Sequence, residues 1–290
     1  MADFILEMHE SKHSSRNTEI SYERDLKKLI CYLRKKQIQN FCDVTETDLN
    51  GYVSEINNGQ LAASTVSRNI ASIRALYHYL FKNGIIQNDP SELLKSPKIE
   101  KKMPEILTID EIDRLLKQPN LNTAKGVRDN AMMELLYATG MRVSELISLD
   151  TSDVNLQMGY VICHAGNKER IIPIGNVSRD AMFKYMDTAR PLLLKDKTEL
   201  SLFTNCSGKP MSRQGFWKMI KGYAKDAGIK RDITPHTLRH SFAVHMLQNG
   251  ADVKSVQEML GHSDISSTQI YLGASVMKMR DVYMKAHPRH

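Results

Sequence analysis

The sequence predicts a mainly helical protein with a small antiparallel β-sheet: a helical N-terminal module followed by an α+β second domain. Three observations predict this. Apolar residues recur at helical spacing through the first hundred residues, with no alternating strand pattern among them. A stretch containing Pro90, Pro97 and Pro104 with several lysines then interrupts that pattern. Beyond it, two short β-branched runs flank a Gly-Asn turn inside an otherwise helical half.

The elements follow in order. Asn17-Thr18 can cap a helix in which Tyr22, Leu26, Leu29, Ile30 and Leu33 recur on one face. Thr45 with Asp48 resembles a capping box, Asp replacing the usual Glu, ahead of Leu49, Val53 and Ile56. A longer helix starts near Ser64, carries Ile70, Ile73, Leu76, Tyr77 and Leu80, and stops at Asn83-Gly84. Basic residues on these helices, among them Arg16, Arg24, Lys28, Arg68 and Arg74, suit either a solvated face or a polyanion. Ser64 and Thr65, at a helix start, suit phosphate contacts. The module is assigned to residues 1–97, the linker to 98–105 and the second domain to 106–290.

Thr108 and Glu111 form a second capping box that opens the second domain. A helix over about Arg128 to Thr139 ends at Gly140. Tyr160–His164 and Ile171–Ile174 read as hairpin strands, with Lys168 at the tip or flank of the turn. From about Ser178 onward the chain reads as mostly helical. Thr234-Pro235 supplies a cap and first-turn proline to a helix beginning at His236. A shorter helix runs from Ala251-Asp252 to Leu260 and ends at Gly261.

The composition bounds the function loosely. A charge of +7 favours a polyanionic partner. Residues 1–100 carry 13 basic and 13 acidic side chains, so the whole excess falls in the second half. Cys31, Cys42, Cys163 and Cys206 show no ligand-like spacing, which predicts a reduced protein without structural zinc. With no signal-like leader and no long apolar run, the expected location is the cytoplasm, in association with the nucleoid.

Chemistry concentrates in four segments. Arg142 follows the helix-ending Gly140, and Glu145, three residues on, can orient its guanidinium. Lys168 lies in the hairpin. His236, Arg239 and His240 share one side of a helix N-terminus, where clustered cations oppose the macrodipole and call for an anion. Core hydrogen bonding by neutral histidines suits His240 and His245 better than His236. Zinc fits this trio poorly, because Arg239 stands where a metal helix carries an acid. His262 follows Gly261, and Tyr271 lies nine residues further on. Read alone, the segment around Gly261 also suits the helix-turn-helix of a DNA-binding regulator.

Taken together, Ala138-Thr-Gly-Met-Arg142, Gly166-Asn-Lys168-Glu-Arg170, His236-Thr-Leu-Arg239-His, Leu260-Gly-His262 and Tyr271 resemble the tyrosine recombinase (phage integrase) family. The match extends to that family's core-binding module through Thr18, Tyr22 and Asp25-Leu26. The compact length, the lack of an arm-binding domain and the ending His287-Pro288-Arg289 are similar to the Xer subgroup. His164-Ala165-Gly166 departs from the Gly-Lys-Gly frequent there, as does Leu272-Gly273-Ala274 after the tyrosine.

The resemblance implies a helical core-binding (SAM-like) domain and an α+β catalytic domain ending in an exchange helix over 275–287. It implies Tyr271 as nucleophile, Arg142, Lys168, His236, Arg239 and His262 as its catalytic company, and Glu145 in support. Arg170 and Arg213 join the candidates for DNA contact. Cleavage through a 3′-phosphotyrosyl link needs neither metal nor ATP, so no cofactor is expected. The expected partners are double-stranded DNA with an inverted-repeat core site and three further subunits of the same or a second recombinase. A DNA translocase is a further candidate partner. Chromosome dimer resolution is the first reading; the others are integration or transposition of a mobile element, a type IB topoisomerase and a non-catalytic regulator. The tail stripe Val276, Met279, Val282, Tyr283 and Ala286 serves either docking on its own domain or donation to a neighbour in a ring.

Overall fold

The computed structural model describes residues 1–12, 16–59, 61–98, 105–165, 168–261 and 283–289. The chain divides into two compact units, Met1–Lys102 and Met103–His290.

In the first unit the helices are α1 (Ala2–Lys12), α2 (Arg16–Lys35), α3 (Glu46–Asn58) and α4 (Ala63–Lys82), with a 3₁₀ turn at Phe41–Asp43. Leu26, Leu29, Leu49, Ile70, Leu76 and Tyr77 are fully buried, so the periodic residues of α2, α3 and α4 meet in one core. The box at Thr45 is present: its hydroxyl accepts from the Asp48 amide, and the Asp48 carboxylate accepts from the Thr45 amide at 3.0 Å. Helix α1 is an addition to the sequence reading. Among its described side chains, Phe4 and Met8, four residues apart, are buried in the core and Ile5 packs against it, too short a stripe to read as a period.

The second unit is built around α6 (Ala124–Thr139), preceded by α5 (Ile109–Leu116). Helix α6 is buried on nearly every side, with Ala131, Met132, Met133, Leu135 and Leu136 wholly inaccessible. Such a helix lies at the centre of its domain rather than on the surface. It ends at Gly140, whose φ of 60° is left-handed. A Cβ there would fall 2.3 Å from Phe242 and 2.9 Å from Leu260, so both conformation and space require glycine.

A short α7 (Val143–Ile147) leads to an antiparallel sheet of β1 (Val154–Asn155), β2 (Tyr160–Ala165) and β3 (Lys168–Pro173). The two-residue β1 is too short to carry a period and was not expected. The register pairs Cys163 with Arg170, His164 with Glu169 and Ala165 with Lys168. Helix α8 (Asn176–Lys184) passes through a π-turn (Tyr185–Ala189) into α9 (Arg190–Leu193). Residues 194–212 are then irregular, pinned by bridges Asp150–Ser201 and Thr204–Pro210, where a mostly helical run was expected. The remaining helices are α10 (Arg213–Asp226), α11 (Pro235–Gln248) and α12 (Val253–Leu260).

The chain end packs on its own unit. Tyr283 and Ala286 are buried, the Ala286 carbonyl accepts from Asn249, and Arg289 pairs with Glu134 and Asp113. His287 stacks on Tyr283 with ring centroids 4.7 Å apart, and burial pushes its imidazole down to about 4. For Tyr283 and Ala286, docking within the domain is therefore the observed arrangement. Val276, Met279 and Val282 lie outside the described residues, as does most of the exchange helix expected over 275–287.

Candidate active site

Arg142 is the N-cap residue of α7, in extended backbone, and it follows Gly140 by two residues. Its amide donates to Glu145 Oε2 at 2.7 Å, and its guanidinium donates to Oε1 at 3.0 Å. The i, i+3 spacing read from the sequence thus places the two side chains in contact, with Glu145 buried and Arg142 about 40% exposed.

Helix α11 begins as its sequence predicts, with Thr234 accepting from the Thr237 amide and Pro235 in the first turn. Its three basic residues then part company. His236 and His240 are exposed, their rings 6.4 Å apart, whereas Arg239 is only 5% exposed. Arg239 donates to the Gly140 carbonyl and to the Leu260 carbonyl, each at 2.7 Å. Those carbonyls end α6 and α12, so a charge disfavoured at the N-terminus of α11 is carried to the negative ends of two other helices. Burial, and then the charge of Arg142, lower its pKa to about 10, and it remains a cation at neutral pH. Core hydrogen bonding, which suits His240 better than His236 from sequence, is not what His240 makes: it is exposed, and its partial burial, then His236 and Arg239, lower its pKa. His245 does fill that role, buried and bonded to the Tyr137 hydroxyl at 2.9 Å.

Arg170, expected among the DNA contacts, is 13% exposed and turned into the unit. It donates to both oxygens of Glu145, at 3.0 and 2.6 Å, and to the Met259 carbonyl at 2.9 Å. Burial alone would raise the Glu145 pKa. Hydrogen bonds from Arg170 and from the Arg142 amide outweigh that and hold it below the usual carboxylate value. Glu145 is therefore an anion shared by Arg142 and Arg170. The sequence reading found its pairing with Arg142 but not that with Arg170, since no local spacing signals a partner 25 residues away.

Lys168 opens β3 opposite Ala165, on the flank of the hairpin; its side chain lies outside the described residues, as do His262 and Tyr271. Beside it, His164 holds two carboxylates, Asp153 through Nε2 at 3.0 Å and Glu169 through Nδ1 at 3.2 Å. Both ring nitrogens donate only in the imidazolium, and the bond to Asp153 raises the His164 pKa above its ordinary 6.5. A folded pKa raised in this way adds stability that is complete below the ordinary histidine value and is lost as pH rises through the folded one. Proton NMR is expected to find a His164 midpoint above 6.5, moving down toward that value in Asp153→Asn. A midpoint unmoved by the substitution would show that the contact is not held in solution.

The remaining DNA-contact candidates have varied surroundings. Arg16, Arg24 and Lys28 are exposed on α2, and the latter two line a groove of about 680 Å³ with Lys27, Lys35, Tyr32 and Tyr52. Ser64 and Thr65 lie in the first turn of α4, where Ala62 provides no side-chain cap. Arg68 is engaged bidentately by the buried Asp25, at 2.7 and 3.0 Å, and Arg74 donates to the Leu94 carbonyl. Arg213 is exposed at the start of α10. Among the described residues, no helix is long and apolar enough to cross a membrane.

Comparison with known proteins bears directly on this arrangement. The profile of the phage integrase family matches residues 105–277, and that of the phage integrase N-terminal SAM-like domain matches residues 1–84. A protein named Tyrosine recombinase XerD from Oceanobacillus iheyensis is 46% identical over 290 residues, covering 99% of this chain and 97% of that protein. The protein of the same name from Halalkalibacterium halodurans is 47% identical over 277 residues, covering 95% and 93%. In fold, the chain is similar to the XerH site-specific recombinase bound to its difH substrate (TM-score 0.71, 21% identity, 98% of this chain and 81% of that one). It is similar also to a lambda integrase dimer bound to a core site (TM-score 0.70, 18% identity, 93% and 99%). The chain belongs to the phage integrase family, as a tyrosine site-specific recombinase of the Xer type.

Proposed function

We propose that the protein cleaves and rejoins double-stranded DNA at a specific inverted-repeat site, with Tyr271 attacking a backbone phosphate to give a 3′-phosphotyrosyl link and a free 5′-hydroxyl. The observation that carries this is the convergence of Arg142 and Arg239. They come from segments nearly a hundred residues apart, and Arg239 is fastened to the carbonyl of Gly140, two residues before Arg142. Two guanidinium forks held so close suit the non-bridging oxygens of one phosphate.

In this reading His236 accepts the phenol proton, which leaves reluctantly from a group with a pKa of about 10. Lys168 protonates the leaving 5′-oxygen, and His262 adds a hydrogen bond to the phosphate. Glu145 positions Arg142. The cationic side chains supply the charge stabilisation, so the reading calls for no cofactor. Attack of a partner duplex's 5′-hydroxyl on the phosphotyrosine completes exchange without an external energy source.

The relatives' names, and solved complexes such as that of XerH with difH, support a DNA partner and a Xer-like task, with chromosome dimer resolution during cell division as the first candidate. That task places the protein with the nucleoid in the cytoplasm. The exposed Arg16, Arg24, Lys28, Ser64 and Arg213 are the first DNA contacts to test, with Thr65, Arg68 and Arg74 after them because each is more enclosed or already partnered. Assembly as a homo- or hetero-tetramer through the C-terminal helix belongs to the same reading, as does help from a second recombinase or a DNA translocase. Integration of a mobile element is the less favoured task.

A nicked suicide duplex carrying the target site is expected to trap the wild-type protein as a covalent adduct resistant to denaturant, and Tyr271→Phe is expected to bind the duplex without forming it. An adduct of undiminished yield with Tyr271→Phe would remove the assigned nucleophile. Binding without any adduct in the wild type would return the protein to the class of regulators.

A further inference from the structure

We propose that Arg170 is a positioning residue of the catalytic centre, one that locks the Lys168 hairpin to the Arg142–Glu145 pair and to the end of α12 that leads to His262. The proposal rests on the strand-cleavage reading above and deepens it.

Arg170 lies two residues beyond Lys168 on the same strand, β3. Its guanidinium joins three elements: β3, which carries it; α7, through both oxygens of Glu145; and α12, through the Met259 carbonyl. That carbonyl is among the last of α12, which have no donors within the helix. Gly261 closes over the same group, since a Cβ there would fall 3.0 Å from Nη1 and 3.1 Å from Cδ and Cζ. All three nitrogens donate inside the unit, and the residue is 13% exposed. A side chain so engaged offers little to a DNA backbone. Lysine could not reproduce the arrangement, because a point ammonium cannot span a carboxylate and a carbonyl with a planar fork.

The consequence is mechanical. Without Arg170, the hairpin loses its hydrogen bonds to α7 and α12 and keeps the apolar packing of Val161, Cys163 and Ile172, and Glu145 keeps only its contacts with Arg142. A displacement of about 1 Å at a catalytic group costs on the order of a hundredfold in rate. Loss of Arg170 should therefore slow the step that needs Lys168 while leaving DNA binding intact.

The test uses the full-length protein and Arg170→Lys, in single-turnover cleavage of a nicked duplex and of the same duplex with a 5′-bridging phosphorothiolate. The sulfur leaving group needs no acid. Cleavage of ordinary DNA is expected to fall by roughly 10–100-fold, with most of the loss recovered on the phosphorothiolate. The dissociation constant and its salt slope should not change. Adding Arg170→Lys to Lys168→Ala should cost little more than Lys168→Ala alone. Equal losses on both substrates, with full additivity, would overturn the proposal. So would weaker binding with a salt slope reduced by about one and normal cleavage once bound, which is the behaviour of a phosphate contact. Should the variant not fold, the wild type still decides the matter by NMR: the Arg170 Nε–H is expected to exchange slowly and to keep its shift when DNA binds. A fast-exchanging signal that moves with DNA would reject the assignment. A wild type that cleaves neither substrate would refute the strand-cleavage reading, whereas this NMR result stands apart from it.

Discussion

Arg239→Ala is expected to reduce single-turnover DNA cleavage by about 10³-fold or more, the range seen when an arginine that stabilises phosphoryl-transfer charge is removed. On the strand-cleavage reading the side chain has two tasks that alanine abolishes together. Two of its N–H groups hold the Gly140 and Leu260 carbonyls, and among the described residues its other N–H groups are left for a phosphate. Charge-assisted bonds of this kind contribute about 1.5–3 kcal/mol each, so the variant should also melt lower. Arg239→Lys separates the tasks. It keeps a cation near the phosphate but cannot reach both carbonyls and an oxygen at once, and cleavage should still fall by about 10²-fold. Melting curves and cleavage rates, measured on the same preparations, check both parts. An Arg239→Lys enzyme of normal rate would mean that charge alone matters there, contrary to the fork geometry.

Glu145→Ala should be the most destabilising change in the centre. Glu145 is 6% exposed and faces Arg142 and the largely buried Arg170. Removing one member of a buried pair costs about 3–5 kcal/mol, because the other charge is left without compensation. For a unit of this size that corresponds to roughly 6–20 °C in Tm. The pH dependence has a fixed sign. The folded pKa of Glu145 is lowered, so its stabilisation is complete above the ordinary carboxylate range and disappears as pH falls through the folded value. The difference in Tm between wild type and Glu145→Gln should therefore be full at neutral pH and shrink on acidification. A difference that stayed constant to low pH would mean that Glu145 acts by packing rather than by charge.

Legibility in the sequence divides along the distance between partners. Caps at Thr45, Thr108 and Thr234 were readable because donor and acceptor lie three residues apart. So was the end of α6, where only glycine tolerates the left-handed turn. The Arg142–Glu145 contact belongs to the same local class. The cluster on α11 was readable as a cluster but not as three environments. Whether Arg239 turns inward depends on α6 and α12, which end 99 residues before it and 21 after it. Arg170 was the hardest to place, since its partners lie 25 and 89 residues away and its exposure is set by a fold that no local pattern encodes. From sequence a basic residue on the hairpin strand reads as a DNA contact; only the fold shows its side chain engaged within the unit.

The sharing of Glu145 has a consequence in charge stoichiometry. Among the described residues of the centre, Arg142, Arg170 and Arg239 face a single carboxylate, which leaves an excess of two positive charges. The lowered pKa of Arg239 is a sign of that excess, since the neighbouring guanidiniums add to the effect of burial. On the strand-cleavage reading, a phosphodiester in its ground state cancels half of it. A pentacoordinate phosphorane, with its further negative charge, matches the excess of these four side chains. This part of the centre is then under-neutralised at rest, and its positive charge is met more fully at the top of the barrier than in the ground state.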